Sequence, residues 1–238
     1  MIENITIGDR TITYEIIRKK VKNINLHVKS DGRIIISANS RVSPKYIEEF
    51  ILRKADWIEK SLKRFENRDM DYNKDFKLSE GECIKLLGIE YPIYILASLV
   101  NHIEINNTGI SIYNRFPEDK VRIKAMWEKW YGAFIKEVFY QSVKEIHLKF
   151  LPYHVAMPVI KIRKMKTRWG SCSVYSGMIT LNTALIHAPI ECIEYVAAHE
   201  LTHFLQPNHS SKFYNMLGII MPDHKERKKL LENQPIYY

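Results

Sequence analysis

A chain of 238 residues, 46% hydrophobic and 26% charged, can bury one good core, or one core and a small lobe, and has an ordinary globular composition. Its net charge of +9 tolerates polyanionic partners such as nucleotides or nucleic acid without demanding them, because Lys and Arg spread along amphipathic helices also serve simply to solvate an outer face. Three scattered cysteines exclude a disulfide framework, and no apolar run is long enough to cross a bilayer. The N-terminus has no basic run leading into an apolar stretch, so a cytoplasmic protein without membrane attachment is expected.

Residues 5–38 read as strands. Ile12, Tyr14 and Ile16 alternate, then Ile24, Leu26 and Val28 lead through a Ser30-Asp31-Gly32 turn into Ile34-Ile35-Ile36. Ser43-Pro44 opens one helix running to about Phe65, with Ile47, Phe50, Ile51, Ala55, Ile58 and Leu62 as its apolar stripe. Residues 67–77 are charged and aperiodic, hence a linker or surface loop. Short strands are expected over 83–87, 91–96, 102–105 and 110–113, then a long helix over 117–150. In that helix Val121, Met126, Trp130, Phe134, Val138, Val143 and Ile146 are assigned inward, and its many aromatics are assigned to core rather than to a stacking platform.

From Pro158 a strand over 159–167 is predicted, then a loop at Arg168-Trp-Gly-Ser-Cys-Ser and a second strand over 178–182. Pro189 starts a helix with Ile190, Ile193, Val196, Ala197 and Phe204 inward. Pro207-Asn208 ends it, residues 210–220 form another helix, and a basic stretch follows over 224–231. No internal repeat is visible. The elements predict an α+β protein: residues 1–78 as a β-hairpin and helix region, and 79–238 as a β region, a long helix and a C-terminal metallohydrolase domain.

The chemistry concentrates at His199-Glu200-Leu201-Thr202-His203, followed by His209. Two histidines four apart share one helix face and can reach one ion, while the glutamate beside the first can deprotonate water held there. With 9 His in 238 residues, a random chain gives roughly 0.03 such frames. Three protein ligands and one open position describe a catalytic rather than a structural zinc, so one Zn2+ per chain is expected. His209 is the favoured third ligand, because Pro207-Asn208 can turn the chain back; Glu226 on the next helix is the competing candidate. Gln206 stands where H-E-x-x-H-x-x-G-x-x-H enzymes carry glycine, which argues against that group. Met221 is assigned to core rather than to a Met-turn.

Glu200 is assigned as general base and later acid. Asp223 and His224 are candidates to hydrogen-bond a ligand imidazole. Lys164, Lys166 and Arg168 fall on one face of the predicted 159–167 strand, in a stretch free of acidic residues from Val155 to Pro189. They read either as a cleft wall gripping an anionic group or as an edge strand protected by charge. Cys172 has no cysteine partner and is assigned to packing.

The motifs Thr167-Arg-Trp-Gly-Ser-Cys-Ser, Ile179-Thr-Leu-Asn, Tyr195-Val-Ala-Ala-His-Glu-Leu-Thr-His and Asn208-His-Ser, in this order within 150–225, resemble the YgjP-like metallopeptidase family, relatives of the SprT-like zincins. The resemblance implies a zincin-like fold with His199, His203 and His209 as zinc ligands and Glu200 catalytic. A zinc-dependent peptidase acting on a peptide or protein follows as the leading expectation, with the 159–167 strand lining its cleft. The same water chemistry would serve a nucleoside triphosphate phosphohydrolase gripping phosphates with Lys164, Lys166 and Arg168, or a SprT-like protease acting on nucleic-acid-associated proteins.

Overall fold

Alternating apolar residues lay down four strands in the first of the two units into which the chain divides, Met1–Asp71 and Tyr72–Tyr238. The structure, a computed structural model, describes residues 2–7, 10–28, 33–66 and 78–234. In the first unit β1 (Ile2–Ile7), β2 (Arg10–Arg18), β3 (Asn25–Val28) and β4 (Ile34–Ala38) form one sheet in the order β1-β2-β4-β3. The expected Ser30–Gly32 turn lies outside the described residues, as does the 67–77 segment, yet β3 and β4 pair antiparallel with Val28 opposite Ile34. β2 runs parallel to β4, a pairing that the alternation alone does not reveal.

Ile12, Tyr14, Ile16, Ile34 and Ile36 on the sheet bury against Ile47, Ile51 and Ile58 on the helices. The Ser43 hydroxyl caps the first of these by accepting from the Tyr46 N–H at 3.3 Å, with Pro44 in its first turn. The expected single helix is two, α1 (Pro44–Arg53) and α2 (Ala55–Glu66). They meet at Lys54, which has left helical geometry at φ −104°, ψ 10°. No Gly or Pro punctuates that point, and the apolar stripe runs through it, so the sequence reads as continuous.

The second unit repeats the sheet plan of the first. β5 (Cys83–Leu86), β6 (Ile89–Ala97), β7 (His102–Asn106) and β8 (Gly109–Asn114) take the order β5-β6-β8-β7, again with antiparallel, parallel and antiparallel pairings in turn. The residues diverge while the pairing plan does not, so the repetition is one of topology and leaves no repeat to read in the sequence.

α3 (Lys120–Leu148) follows, burying Ile123, Trp127, Ile135, Phe139, Val143 and Ile146. Val121, assigned inward, is 80% exposed in the first turn; Ile123 takes the inward place. β9 (Val159–Arg163), β10 (Gly170–Ser173) and β11 (Met178–Asn182) make a three-stranded sheet in the order β10-β11-β9. Two expectations fail here. The strand from 159 stops at Arg163 rather than reaching 167, and the supposed loop at 168–173 contains a strand. Gly-Ser-Cys-Ser has weak strand propensity, but pairing with β11 overrides it.

A 3-10 turn, Thr183–His187, leads into α4 (Ile190–Thr202), then α5 (Ser211–Ile220) and α6 (His224–Glu232). The His187 ring ties this turn to the preceding sheet: its Nδ1–H donates to the Lys85 carbonyl at 2.6 Å, and its Nε2 accepts from the Tyr131 hydroxyl at 3.2 Å. α4 packs against β10 and β11 and against α3, α5 and α6. Cys192, Ile193, Ala197, Ala198 and Leu201 are fully buried along it. A helix so enclosed is a rigid mount. No helix of the described residues is long and apolar enough to cross a membrane.

Candidate metal centre

α4 carries His199 and Glu200 in its last turn, with His203 as its C-cap. The chain then tightens: the Leu205 and Gln206 N–H groups both donate to the Thr202 carbonyl, at 3.0 and 2.9 Å. This brings the Gln206 carbonyl to the His203 Nδ1 at 3.3 Å, so Nδ1–H donates there and Nε2 is left free to act as a ligand. The residue that departs from the glycine pattern thus orients a histidine through its backbone. Pro207 and Asn208 return the chain, and His209 arrives with its Nε2 2.9 Å from the His199 Nε2.

One ligand atom from each of His199, His203 and His209 lies within 4.8 Å of the other two. Among the described residues this is the one cluster of three or more His, Cys, Asp or Glu side chains placed to share an ion, and Glu226 is not in it. Phe213, fully buried on α5, packs against all three imidazoles at centroid distances of 4.9, 4.8 and 4.8 Å. Burial, then the neighbouring His203 and His209, push the His199 pKa down to about 3. Burial also lowers His203. Neutral imidazoles are the ligand form, and two of their nitrogens at 2.9 Å must share either a proton or a cation. Three imidazoles with an open side suit a borderline-soft transition-metal ion.

The open side is a cavity of about 430 Å³ lined by the three histidines, Glu200, Pro207, Val174 and the segment Arg168, Gly170, Ser171 and Cys172. Glu200 is 6% exposed, and burial raises its pKa to about 7 against the opposing charge of Arg168. β10 presses directly on it. A methyl group built at Gly170 would lie 2.7 Å from Glu200 Oε1 and from Val196 Cγ1, so glycine is what lets strand and carboxylate meet. Cys172 also lines this cavity. Burial, then Glu200, push its thiol up to about 11, and it stands outside the histidine cluster.

Asn182 fixes the segment that leads into β10. Fully buried, it donates from Nδ2 to the Met165 carbonyl at 2.7 Å and the Arg168 carbonyl at 2.9 Å. Its Oδ1 accepts from the Met165 and Ala184 N–H groups, and its own N–H donates to the Trp169 carbonyl. Of the three basic residues expected to share a strand face, Arg168 lines the cavity, whereas Lys164 and Lys166 are exposed beyond the end of β9 and do not. The wall of the cleft is β10, with β9 at the opposite edge of the same sheet.

Asp223 and His224 are engaged elsewhere. Asp223 accepts from Arg227 at 2.7 Å, and Arg227 also pairs with Glu194. His224, buried, donates from Nδ1 to the Met221 carbonyl and packs by Gly218. Sequence reasoning missed Gly170, Phe213, Asn182 and the Gln206 carbonyl. Asn182 closes the Ile179-Thr-Leu-Asn motif, so a signal for it existed; Gly170 and Phe213 acquire their roles only from packing.

A family model described as the YgjP-like metallopeptidase domain matches residues 22–234. No curated protein matches the chain. Among solved structures, the chain is similar to the metallopeptidase zymogen abylysin of Pyrococcus abyssi, 26% identical over 40% of this chain and 89% of that one, with a TM-score of 0.32. It is also similar to the metallopeptidase zymogen jannalysin of Methanocaldococcus jannaschii, 24% identical over 40% and 90%, with a TM-score of 0.31. Scores this low bear no structural inference.

Proposed function

The chain belongs to the YgjP-like metallopeptidase family, and from that premise we propose that it is a zincin-like peptidase in which His199, His203 and His209 hold one zinc ion and Glu200 is the general base. The convergence of three imidazoles beside a buried carboxylate carries this reading. When bound, zinc supplies Lewis-acid polarisation of a carbonyl and lowers the pKa of water. Glu200 takes the proton of the attacking water on one carboxylate oxygen and returns it to the departing amine. Phe213 and the Gln206 carbonyl hold the imidazoles in place. Arg168, on the same cavity, offers positive charge to a developing oxyanion.

Substrate docking follows from β10. Trp169 receives the Asn182 N–H, so Trp169, Ser171 and Ser173 turn their backbone groups toward β11. Gly170 and Cys172 then turn theirs to the edge that pairs with no strand among the described residues, where an extended peptide can add as a strand. A phosphate-gripping reading is left with Arg168 alone in the cavity.

Elemental analysis of the native protein should find about one zinc per chain, lost in His203→Ala and His209→Ala. Glu200→Gln should keep the metal and lose peptidase activity by roughly 10²–10⁴-fold. An undiminished Glu200→Gln would remove Glu200 from the chemistry.

A further inference from the structure

A second cavity, of about 340 Å³, adjoins the metal centre. Three segments build it: Val155 and Met157 ahead of β9, Val174 in the turn between β10 and β11, and Phe204 and Leu205 directly after His203. Val174 lines both cavities, so the two share a wall at that residue. Among the described residues no Asp, Glu, Lys or Arg lines the second one, and Tyr153 and His154 are its polar side chains. Val174 and Met157 are 47% and 37% exposed, leaving apolar surface that a guest would remove from water. For scale, an apolar cavity of about 150 Å³ takes a benzene ring.

We infer that this cavity is a specificity pocket for one large apolar side chain of the substrate, a reading that rests on the peptidase function proposed above. Its distance from the chemistry is set by the strand. Glu200 touches β10 at Gly170, and Val174 lies four residues further on. At ~3.3 Å per residue a peptide paired with β10 reaches the pocket about three to four residues from the bond being cut. A charged side chain arriving there would give up water and meet no side chain of full opposite charge among the described lining residues, whose polar side chains are Tyr153 and His154.

The test uses the zinc-loaded full chain and fluorogenic decapeptides, in which each position up to four residues either side of the scissile bond is in turn Leu, Phe, Gly, Asp or Lys. One position, three or four residues from the bond, should favour Leu and Phe over Asp by at least about tenfold in kcat/KM. Met157→Lys should reverse that order at this position alone, and Met157→Ala, which adds no charge, should weaken it. Cleavage without such a preference, or a Met157→Lys profile like that of the unaltered protein, overturns the pocket and leaves the peptidase reading standing. If fully zinc-loaded protein cleaves none of the peptides, the peptidase reading falls and takes the pocket with it.

Discussion

Gly170→Ala adds one methyl group where β10 meets Glu200, the proposed base. The new carbon would lie 2.7 Å from Glu200 Oε1 and Val196 Cγ1 and 3.0 Å from Glu200 Cγ, against about 3.4 Å for ordinary contact. Val196 is held in the core of α4, so the carboxylate is the group with room to move, toward the cavity. A displacement of that order, approaching 1 Å, costs up to roughly 10²-fold in rate. A general base acts in the transition state, so on the role proposed for Glu200 the loss should fall on kcat with KM little changed. Overpacking should cost about 1–3 kcal/mol of stability, read as a lowered Tm, while bound-metal content stays at that of the unaltered protein. The double variant Gly170→Ala/Val196→Ala separates the two effects. It relieves the contact with Val196 and should change stability, yet it should not restore kcat, because the contact with Glu200 remains. A Gly170→Ala enzyme with unaltered kcat would refute the claim that β10 fixes the carboxylate.

Asn182→Ala leaves buried backbone groups of Met165 and Ala184 short of partners, at about 1–3 kcal/mol each. Its Tm should fall by roughly 6–12 °C for a total near 3 kcal/mol, and a Tm within experimental error of the parent would deny Asn182 its bracing role. Arg168→Gln should lower kcat/KM for peptides, whereas Lys164→Gln and Lys166→Gln should not, because neither lysine lines the cavity; equal effects from all three would return the lysines to the site. Burial lowers the His187 pKa from 6.5, so below that pH the unfolded chain binds a proton that the fold refuses. The His187 contribution is therefore complete above about pH 6.5 and is lost as the pH falls toward the folded pKa. The fall in Tm from pH 8 to about 5.5 should be shallower in His187→Gln than in the parent, and parallel curves would count against a neutral buried His187.

The legibility of the chain follows the range of the interactions. His199, Glu200 and His203 are visible because helical spacing alone places them together. His209 is visible because Pro207-Asn208 announces a turn. The strand Gly170–Ser173 is not, because Gly and Ser carry no strand signal and only the ladder with β11 makes one. Lys164, Lys166 and Arg168 look coplanar by alternation, but alternation ends at Arg163, where β9 leaves its pairing with β11. Phe213 looks like any core residue of an amphipathic helix. Its contact with three imidazoles exists only once the loop has brought His209 back. The break at Lys54 and the parallel pairings β2–β4 and β6–β8 have no residue-level marker at all.

The two rims of the three-stranded sheet have opposite characters. β9 exposes Lys161 and Arg163, charges that discourage any passing strand from joining. β10 has no charge in Gly-Ser-Cys-Ser, so nothing repels a newcomer, yet it is only four residues long. Aggregating sheets grow from long, apolar, flat rims, and a rim this brief with two serines offers too few bonds to hold a stranger. On the function and the pocket proposed above, a guest would gain its remaining affinity from the neighbouring cavity and from the metal centre. The same brevity that gives a growing sheet so little to hold would then make the rim a discerning host.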